Sequence, residues 1–220
     1  MGAFSQLLFP PLCLLCDTPG ADLCQICNTK IERNHKSLLL ADIPVWAGAL
    51  YGDELSDLIL LAKEKNMAPS RNFLAGLLVE SLMNARVEGQ EARNVILVPV
   101  PSSKSANRTR GYRHAYLLSR ELVKLLPQSH RNRASVQETL VVNRKIADQT
   151  NLNRLERERN VQGAYSVRKV DRLKGQVDIF LVDDLVTTGS SVIEGVRTLR
   201  KAGVRPVGVL AAGVSPRLFS

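Results

Sequence analysis

The stretch Ile179-Phe-Leu-Val-Asp183-Asp184-Leu-Val-Thr187-Thr188-Gly189-Ser190-Ser191-Val192 decides the fold. It continues a run of apolar residues from Val177 to Val182, as expected of a strand buried on both faces of a parallel sheet. Two carboxylates end that run, and a turn of small, hydroxylated residues opens a helix predicted over 190–202, with Gly203 as its C-terminal cap. In open α/β sheets ligands bind beyond the carboxyl ends of the strands, so this turn stands where a ligand is expected. Residues Thr187 to Ser191 offer backbone N–H groups and four hydroxyls at a helix start, where the dipole favours an anion. Gly189 permits positive φ or a close backbone approach. Asp183 and Asp184 can accept hydrogen bonds from sugar hydroxyls, as acids do for a ribose in dinucleotide-binding folds. Taken singly, the turn reads as a plain N-cap and the aspartates as turn formers. Taken together, they point to a phosphorylated sugar. No Gly-Lys-[Ser/Thr] is present, so this is not a Walker P-loop.

Working outward, His35–Asp42 reads as a linker and Val45–Tyr51 as a first strand. Glu54–Asn66 is an apolar-periodic helix, which Pro69 is expected to end, and a second helix is predicted from about Asn72 to Arg86. Asn94–Val98 is a short apolar strand stopped by Pro99 and Pro101, followed by a polar loop and a helix over His114–Leu126. A short strand is expected at Thr139–Val142, a charged helix at Asn151–Asn160 and a last strand at Pro206–Val214. Apolar strands alternating with helices predict an α/β domain, a mostly parallel sheet with helices on both faces.

All four cysteines fall near the start, as Cys13-x-x-Cys16 and Cys24-x-x-Cys27, with Pro19-Gly20 turning the chain between the pairs. Such spacing suits four thiolates on one tetrahedral Zn²⁺, a closed structural site. Disulfides and a thioredoxin-like redox pair compete with zinc. The cysteine-free remainder disfavours the first, and neither pair follows a strand to open a long helix. The expected division is a zinc knuckle and linker over 1–40 and an α/β domain over 41–220.

The 220-residue chain carries 30 Lys and Arg against 21 Asp and Glu, a net charge of +9. Its 45% hydrophobic and 23% charged content is that of a globular protein. No apolar run reaches the roughly 18 residues a spanning helix needs. The N-terminus lacks a basic n-region with a small-residue cleavage site, so the cytoplasm is expected. The charge is concentrated: residues 99–176 hold 17 Lys and Arg against six Asp and Glu, an excess of 11 positive charges. That excess points to anionic partners.

The stretch Val-Asp-Asp-Leu-Val-Thr-Thr-Gly-Ser-Ser resembles the 5-phosphoribosyl-1-diphosphate (PRPP) motif of the type I phosphoribosyltransferases. Together with the cysteine knuckle, Val98-Pro-Val-Pro101, Arg110-Gly-Tyr-Arg-His-Ala115, Asp148-Gln-Thr, Glu156-Arg157 and Asn160-Val-Gln-Gly-Ala-Tyr165, the chain resembles the ComF/GntX-like family of competence-associated, phosphoribosyltransferase-like proteins. The resemblance implies a type I phosphoribosyltransferase fold. It assigns Asp183 and Asp184 to the ribose hydroxyls, and Thr187, Thr188, Gly189, Ser190 and Ser191 to the 5-phosphate. It places pyrophosphate on the 99–111 loop, with Lys104, Arg108, Arg110 and Gly111 as candidates, and Mg²⁺ between pyrophosphate and ribose oxygens. The implied reaction displaces pyrophosphate at the anomeric carbon without a protein nucleophile, so no catalytic residue is named. Family members commonly read Arg-Gly-Phe-Asn-Gln where this chain has Arg110-Gly111-Tyr112-Arg113-His114, so a cation and an imidazole replace two amides. Lys63 is a ligand contact by family position, but an exposed helical lysine by its own context. His114 reads as a surface residue at a helix start.

Two functions can use the basic segment. One is Mg-dependent phosphoribosyl transfer or PRPP binding, linked to nucleotide or DNA utilisation. The other is a non-enzymatic DNA-uptake or DNA-utilisation factor that binds single-stranded DNA. Against the latter, the segment has only Tyr112, Tyr116 and Tyr165 for base stacking.

Overall fold

The computed structural model describes residues 10–86, 93–143, 161–173 and 175–219, with the side chains of 104–106 set aside. The helix expected at 151–160, together with Asp148, Glu156 and Arg157, lies outside the described residues.

Six strands form one sheet: β1 (Ser37–Leu40), β2 (Ile43–Leu50), β3 (Asn94–Pro99), β4 (Ala134–Val136), β7 (Val177–Val186) and β8 (Gly208–Val214). Their order is β1-β2-β8-β7-β3-β4, and a separate two-stranded ribbon pairs β5 (Leu140–Val142) with β6 (Tyr165–Val167). Only β1–β2 is antiparallel within the sheet; β2–β8, β8–β7, β7–β3 and β3–β4 all run parallel. The α/β class with a mostly parallel sheet therefore stands.

Each face carries its own apolar core. On one face lie α2 (Asp53–Glu64), α3 (Ala68–Ala85) and α5 (His114–Leu125), packed through Leu58, Leu77, Leu118 and Leu122 against Leu97, Phe180, Val182 and Leu210. On the other lie α7 (Ser190–Lys201) and the β5–β6 ribbon, which bring Val192, Val196, Leu199, Leu140 and Tyr165 onto Val98, Ile179, Leu181 and Val209. Strand residues that are buried whichever way they point explain the unbroken apolar runs of β3, β7 and β8. Trimming a wholly buried leucine such as Leu58 to alanine costs about 2–5 kcal/mol.

Several expectations are corrected. Residues 37–40, expected as linker, form the edge strand β1. Pro69 does not end α2; it sits in the first turn of α3, where its missing N–H has no helical partner to lose. The polar loop after β3 contains a short helix, α4 (Lys104–Arg110). The strand predicted over 177–182 runs on to Val186, so the acid pair lies within β7 and not after it.

The cysteine segment, which includes α1 (Gln25–Thr29), packs on the main body. Ile31 is buried in the helical-face core, with Leu14, Leu15 and Leu23 against it. The backbone of 32–34 bonds to β2 through Leu50 N to Glu32 O at 2.8 Å and Asn34 N to Gly48 O at 2.9 Å.

Candidate functional site

Pairing geometry places the site. Strand β7 pairs with β3 only as far as Pro99–Val182, but with β8 as far as Val186–Val214. From β3 the chain proceeds outward to β4, and β7 returns on the other side of β3. The carboxyl ends of β3 and β7 are thus the point where the strand order reverses, and their following segments diverge. Such a switch point opens a crevice in a doubly wound sheet. Asp183 and Asp184 follow directly on Val182, the last residue of β7 paired with β3, and so lie at this switch point.

Strand alternation sends the two carboxylates to opposite faces. Asp184 is 5% exposed and meets the helical face, where Lys63 Nζ lies 3.0 Å and His114 Nε2 3.4 Å from its Oδ2. Burial pushes the Asp184 carboxyl up, but the Lys63 charge and the His114 imidazole outweigh it and hold the group well below the usual carboxylate range. The Asp184 charge in turn raises the Lys63 ammonium. Asp183 turns toward α7 and Tyr165, and its Oδ1 accepts the Asp184 N–H at 3.0 Å. Burial, then the neighbouring Asp184 charge, pushes Asp183 well above its ordinary value. Lys63 is in direct contact with Asp184, whereas its charge reaches Asp183 only from farther away and is outweighed there by burial and by the Asp184 charge.

The turn after the acids has the geometry its composition promised. Gly189 is the N-cap of α7 at φ 78°, and a Cβ there would come within 2.7 Å of Leu40 Cδ1. Thr188 Oγ1 lies 2.8 Å from Ser190 Oγ and accepts the Ser190 N–H at 3.4 Å. Buried Tyr165 lies beside Ser191, and burial pushes its hydroxyl above the ordinary tyrosine value. The N-terminal turn of α7, a 12-residue helix, therefore faces the same end of the sheet as the acid pair.

The Arg110–His114 motif joins this crevice to α2 and to the segment after β4. Arg110 Nε donates to both Glu64 oxygens at 3.0 Å. Gly111 turns at φ 76°. The Tyr112 hydroxyl donates to the carbonyls of Lys63 and Ala62 at 2.5 and 3.2 Å. Arg113 pairs with Glu138. Among the pyrophosphate candidates, Arg110 is thus clasped to α2, Arg108 is exposed, and the Lys104 side chain lies outside the described residues.

Two roles are corrected. His114 is not a surface residue; it is 2% exposed and opens the buried stripe of α5. Lys63 is not a free helical lysine but the partner of Asp184. Sequence carried a signal for each. His114 leads the i, i+4, i+8 row with Leu118 and Leu122, and Lys63 lies four residues after Ile59 on the edge of an apolar stripe.

The four cysteines form a second site. Their Sγ atoms lie within 4.8 Å of one another, and Cys16 Sγ to Cys24 Sγ is 3.6 Å, far beyond a disulfide bond. Burial acts against ionisation of Cys13, yet backbone N–H bonds from Cys24, Leu15 and Cys16 bring it down to about 6. Cys27 is pushed up to about 12 by its contact with Cys16, by burial and by the other sulfurs. Four sulfurs this close cannot all ionise without a cation, so the cluster is positioned to bind a metal ion.

Among the described residues no helix is long and apolar enough to cross a membrane. No family model matches the chain. It is 28% identical over 194 residues to Competence protein F of Haemophilus influenzae, covering 84% of this chain and 82% of that protein. Among solved structures, orotate phosphoribosyltransferase from Aeropyrum pernix aligns with 89% of this chain and 94% of its own, at 14% identity and a TM-score of 0.31. The chain is thus similar to Competence protein F over most of its length, in keeping with the expected likeness to the ComF/GntX-like family.

Proposed function

We propose that the chain binds PRPP in the crevice between the ends of β3 and β7 and transfers its phosphoribosyl group to an acceptor. The observation that carries this reading is the acid pair near the end of β7 at the switch point, with the Gly189 turn into α7 a few residues on. A ribose needs hydrogen-bond acceptors for two hydroxyls, and Asp183 and Asp184 are adjacent carboxylates. A 5-phosphate needs N–H and hydroxyl donors at a helix start, and residues 187–191 supply them. The 99–111 segment is the pyrophosphate loop in this reading, with its charge from Lys104 and Arg108 and its shape from Gly111.

The residues fit Mg²⁺ held chiefly by the substrate. Lys63 already engages Asp184, and Asp183, raised by burial and by a like charge, gains most from a nearby cation. Mg²⁺ bound with PRPP supplies charge to the departing pyrophosphate. The chain orients the ribose, keeps Asp184 ionised through Lys63, and positions the anomeric carbon toward the acceptor. Zn²⁺ is assigned to Cys13, Cys16, Cys24 and Cys27 as a structural ion, and free thiols with that task suit a reducing compartment such as the cytoplasm.

Titration with PRPP and Mg²⁺ tests the site. Saturable binding is expected, with at least a tenfold loss in Asp183→Asn/Asp184→Asn. Equal affinity in that variant, or no binding to the wild type, removes the assignment. A second reading, binding of single-stranded DNA by the basic segment, draws support from the relative's name and from exposed Arg108, Arg168 and Lys169. It requires oligonucleotide affinity that falls steeply with salt.

A further inference from the structure

The inward side of α7 carries a polar row beside its apolar stripe. Ser190, Glu194 and Thr198 recur at i, i+4 and i+8, and they are 7%, 4% and 8% exposed. Ser190 belongs to the turn that follows the acid pair. Glu194, the one carboxylate of α7, stands a single helical turn beyond it. A carboxylate is buried in this way only when it is paired and hydrogen-bonded.

The partners of Glu194 come from two directions. Its Oε1 accepts the Gly163 N–H at 2.9 Å, Arg197 Nη2 at 2.8 Å and the Thr198 hydroxyl at 3.3 Å, and its Oε2 accepts Arg197 Nε at 2.7 Å. Burial acts to raise the carboxyl, but Arg197, then Gly163 and Thr198, bring it below its usual value.

The Gly163 bond acts mechanically. Gly163 turns at φ 69° into Ala164 and Tyr165, which are 0% and 6% exposed. Tyr165 lies beside Ser191, and the Asp183 and Glu194 charges both reach its hydroxyl. Glu194 thus ties the turn that seats Tyr165 to a helix that itself sits tightly on β7, since a Cβ on neighbouring Gly195 would come within 2.6 Å of Leu181 Cδ2. The Arg197 bonds act electrostatically. A negative charge one turn from the start of α7 opposes an anion there. The two parallel N–H···O bonds of Arg197 offset it, from a side chain that is half exposed.

We propose that Glu194 is a positioning residue of the phosphate turn, anchoring the Gly163 turn so that Tyr165 stays beside Ser191, and that Arg197 cancels the charge that would otherwise repel a 5-phosphate. The inference rests on the PRPP reading and names what tunes the phosphate end of that site.

Amide exchange followed by NMR, with titration of the full chain by PRPP and Mg²⁺ and by ribose 5-phosphate, tests both halves. Gly163 exchange should rise about tenfold or more in Glu194→Ala and stay slow in Glu194→Gln, whose amide oxygen still accepts the bond. At low salt Arg197→Ala should bind both ligands about fivefold or more weakly, with the deficit shrinking as ionic strength rises. Arg197→Ala/Glu194→Gln should recover wild-type affinity, whereas a clamp that only supports the fold would show neither the salt dependence nor the recovery. Unchanged Gly163 exchange in Glu194→Ala overturns the anchor. Wild-type affinity in Arg197→Ala, or a deficit that Glu194→Gln leaves unrepaired, overturns the charge argument. Arg197 is exposed, so its variants decide the question even if Glu194→Ala fails to fold. Binding of neither ligand by the wild type defeats the PRPP reading and the phosphate role with it, and Glu194-dependent exchange at Gly163 then marks a fold clamp alone. Binding with the expected exchange but without the Arg197 effect defeats the charge argument and leaves the PRPP reading standing.

Discussion

Lys63 Nζ lies 3.0 Å from Asp184 Oδ2, so the last turn of α2 neutralises one of two adjacent carboxylates on β7. Removing one member of a buried ion pair leaves the other charge uncompensated, at a cost of about 3–5 kcal/mol. Lys63 keeps a third of its side chain exposed, at 32%, so Lys63→Met should fall at the low end, about 3 kcal/mol. Urea denaturation measures it. Lys63→Met combined with Asp184→Asn should recover part of the loss; strictly additive losses would show the pair to be uncoupled.

The acid pair should give opposite responses to pH. Asp184, depressed in the fold, contributes stability above the unfolded carboxylate value of about 3.9 and loses it as pH falls through the lower folded value. Asp183, raised in the fold, contributes below about 3.9 and loses that contribution as pH rises through its raised folded value. At pH 7 Asp183→Asn should therefore stabilise the protein, by about 1 kcal/mol, while weakening PRPP binding, a trade common at functional sites. Its advantage should shrink as pH is lowered toward 4, whereas Asp184→Asn should destabilise at pH 7. Urea midpoints moving in the same direction for both variants would overturn the division of charge.

That division explains what was and was not legible in the sequence. Strands β2, β3, β7 and β8 were visible because both their faces are buried, which leaves an unbroken apolar run. The acid-turn motif was visible because its parts are contiguous. Lys63 and His114 were misread because their partner Asp184 is remote in the chain: their places on apolar helical rows mark them as inward-facing, but only the fold shows what they meet. Strand β1 was missed for a different reason. Its hairpin turns on Ala41 at φ 56°, a conformation usually marked by Gly or Asn, so the turn carries no composition signal. The three-residue β4 is too short to show any period.

Gly189→Ala should fail twice. It places a side chain at φ 78°, which costs about 1–2 kcal/mol, and its Cβ would meet Leu40 Cδ1 at 2.7 Å. Leu40→Ala added to Gly189→Ala should relieve the clash and leave the backbone strain, so the double variant should bind PRPP less well than Leu40→Ala alone. Full recovery would show that the left-handed turn has no part in the site.

Metal analysis should find one equivalent of zinc, absent in Cys13→Ser/Cys16→Ser. Because Leu14, Leu15 and Leu23 pack against the core beneath α2 and α3, loss of the ion should loosen that contact as well as the knuckle. Hydrogen exchange should rise at Leu50 and Asn34, whose amides bond to Glu32 and Gly48. A metal-free protein with unchanged protection there would contradict the structural role.

Tyr112 provides the sharpest test of how the Arg110–His114 motif acts. Its hydroxyl donates to the Lys63 and Ala62 carbonyls, and Arg110 grips Glu64, so the loop holds the end of α2 that presents Lys63 to Asp184. Tyr112→Phe removes the donor but keeps the ring, and should cost about 1 kcal/mol in stability. If the clasp merely supports the fold, PRPP affinity should be unchanged once the variant is folded. If it positions Lys63, PRPP should bind roughly tenfold more weakly, equivalent to about 1.4 kcal/mol. In a Lys63→Met background Tyr112→Phe should then have little further effect on binding. Isothermal titration across the four proteins of that cycle decides between support and positioning.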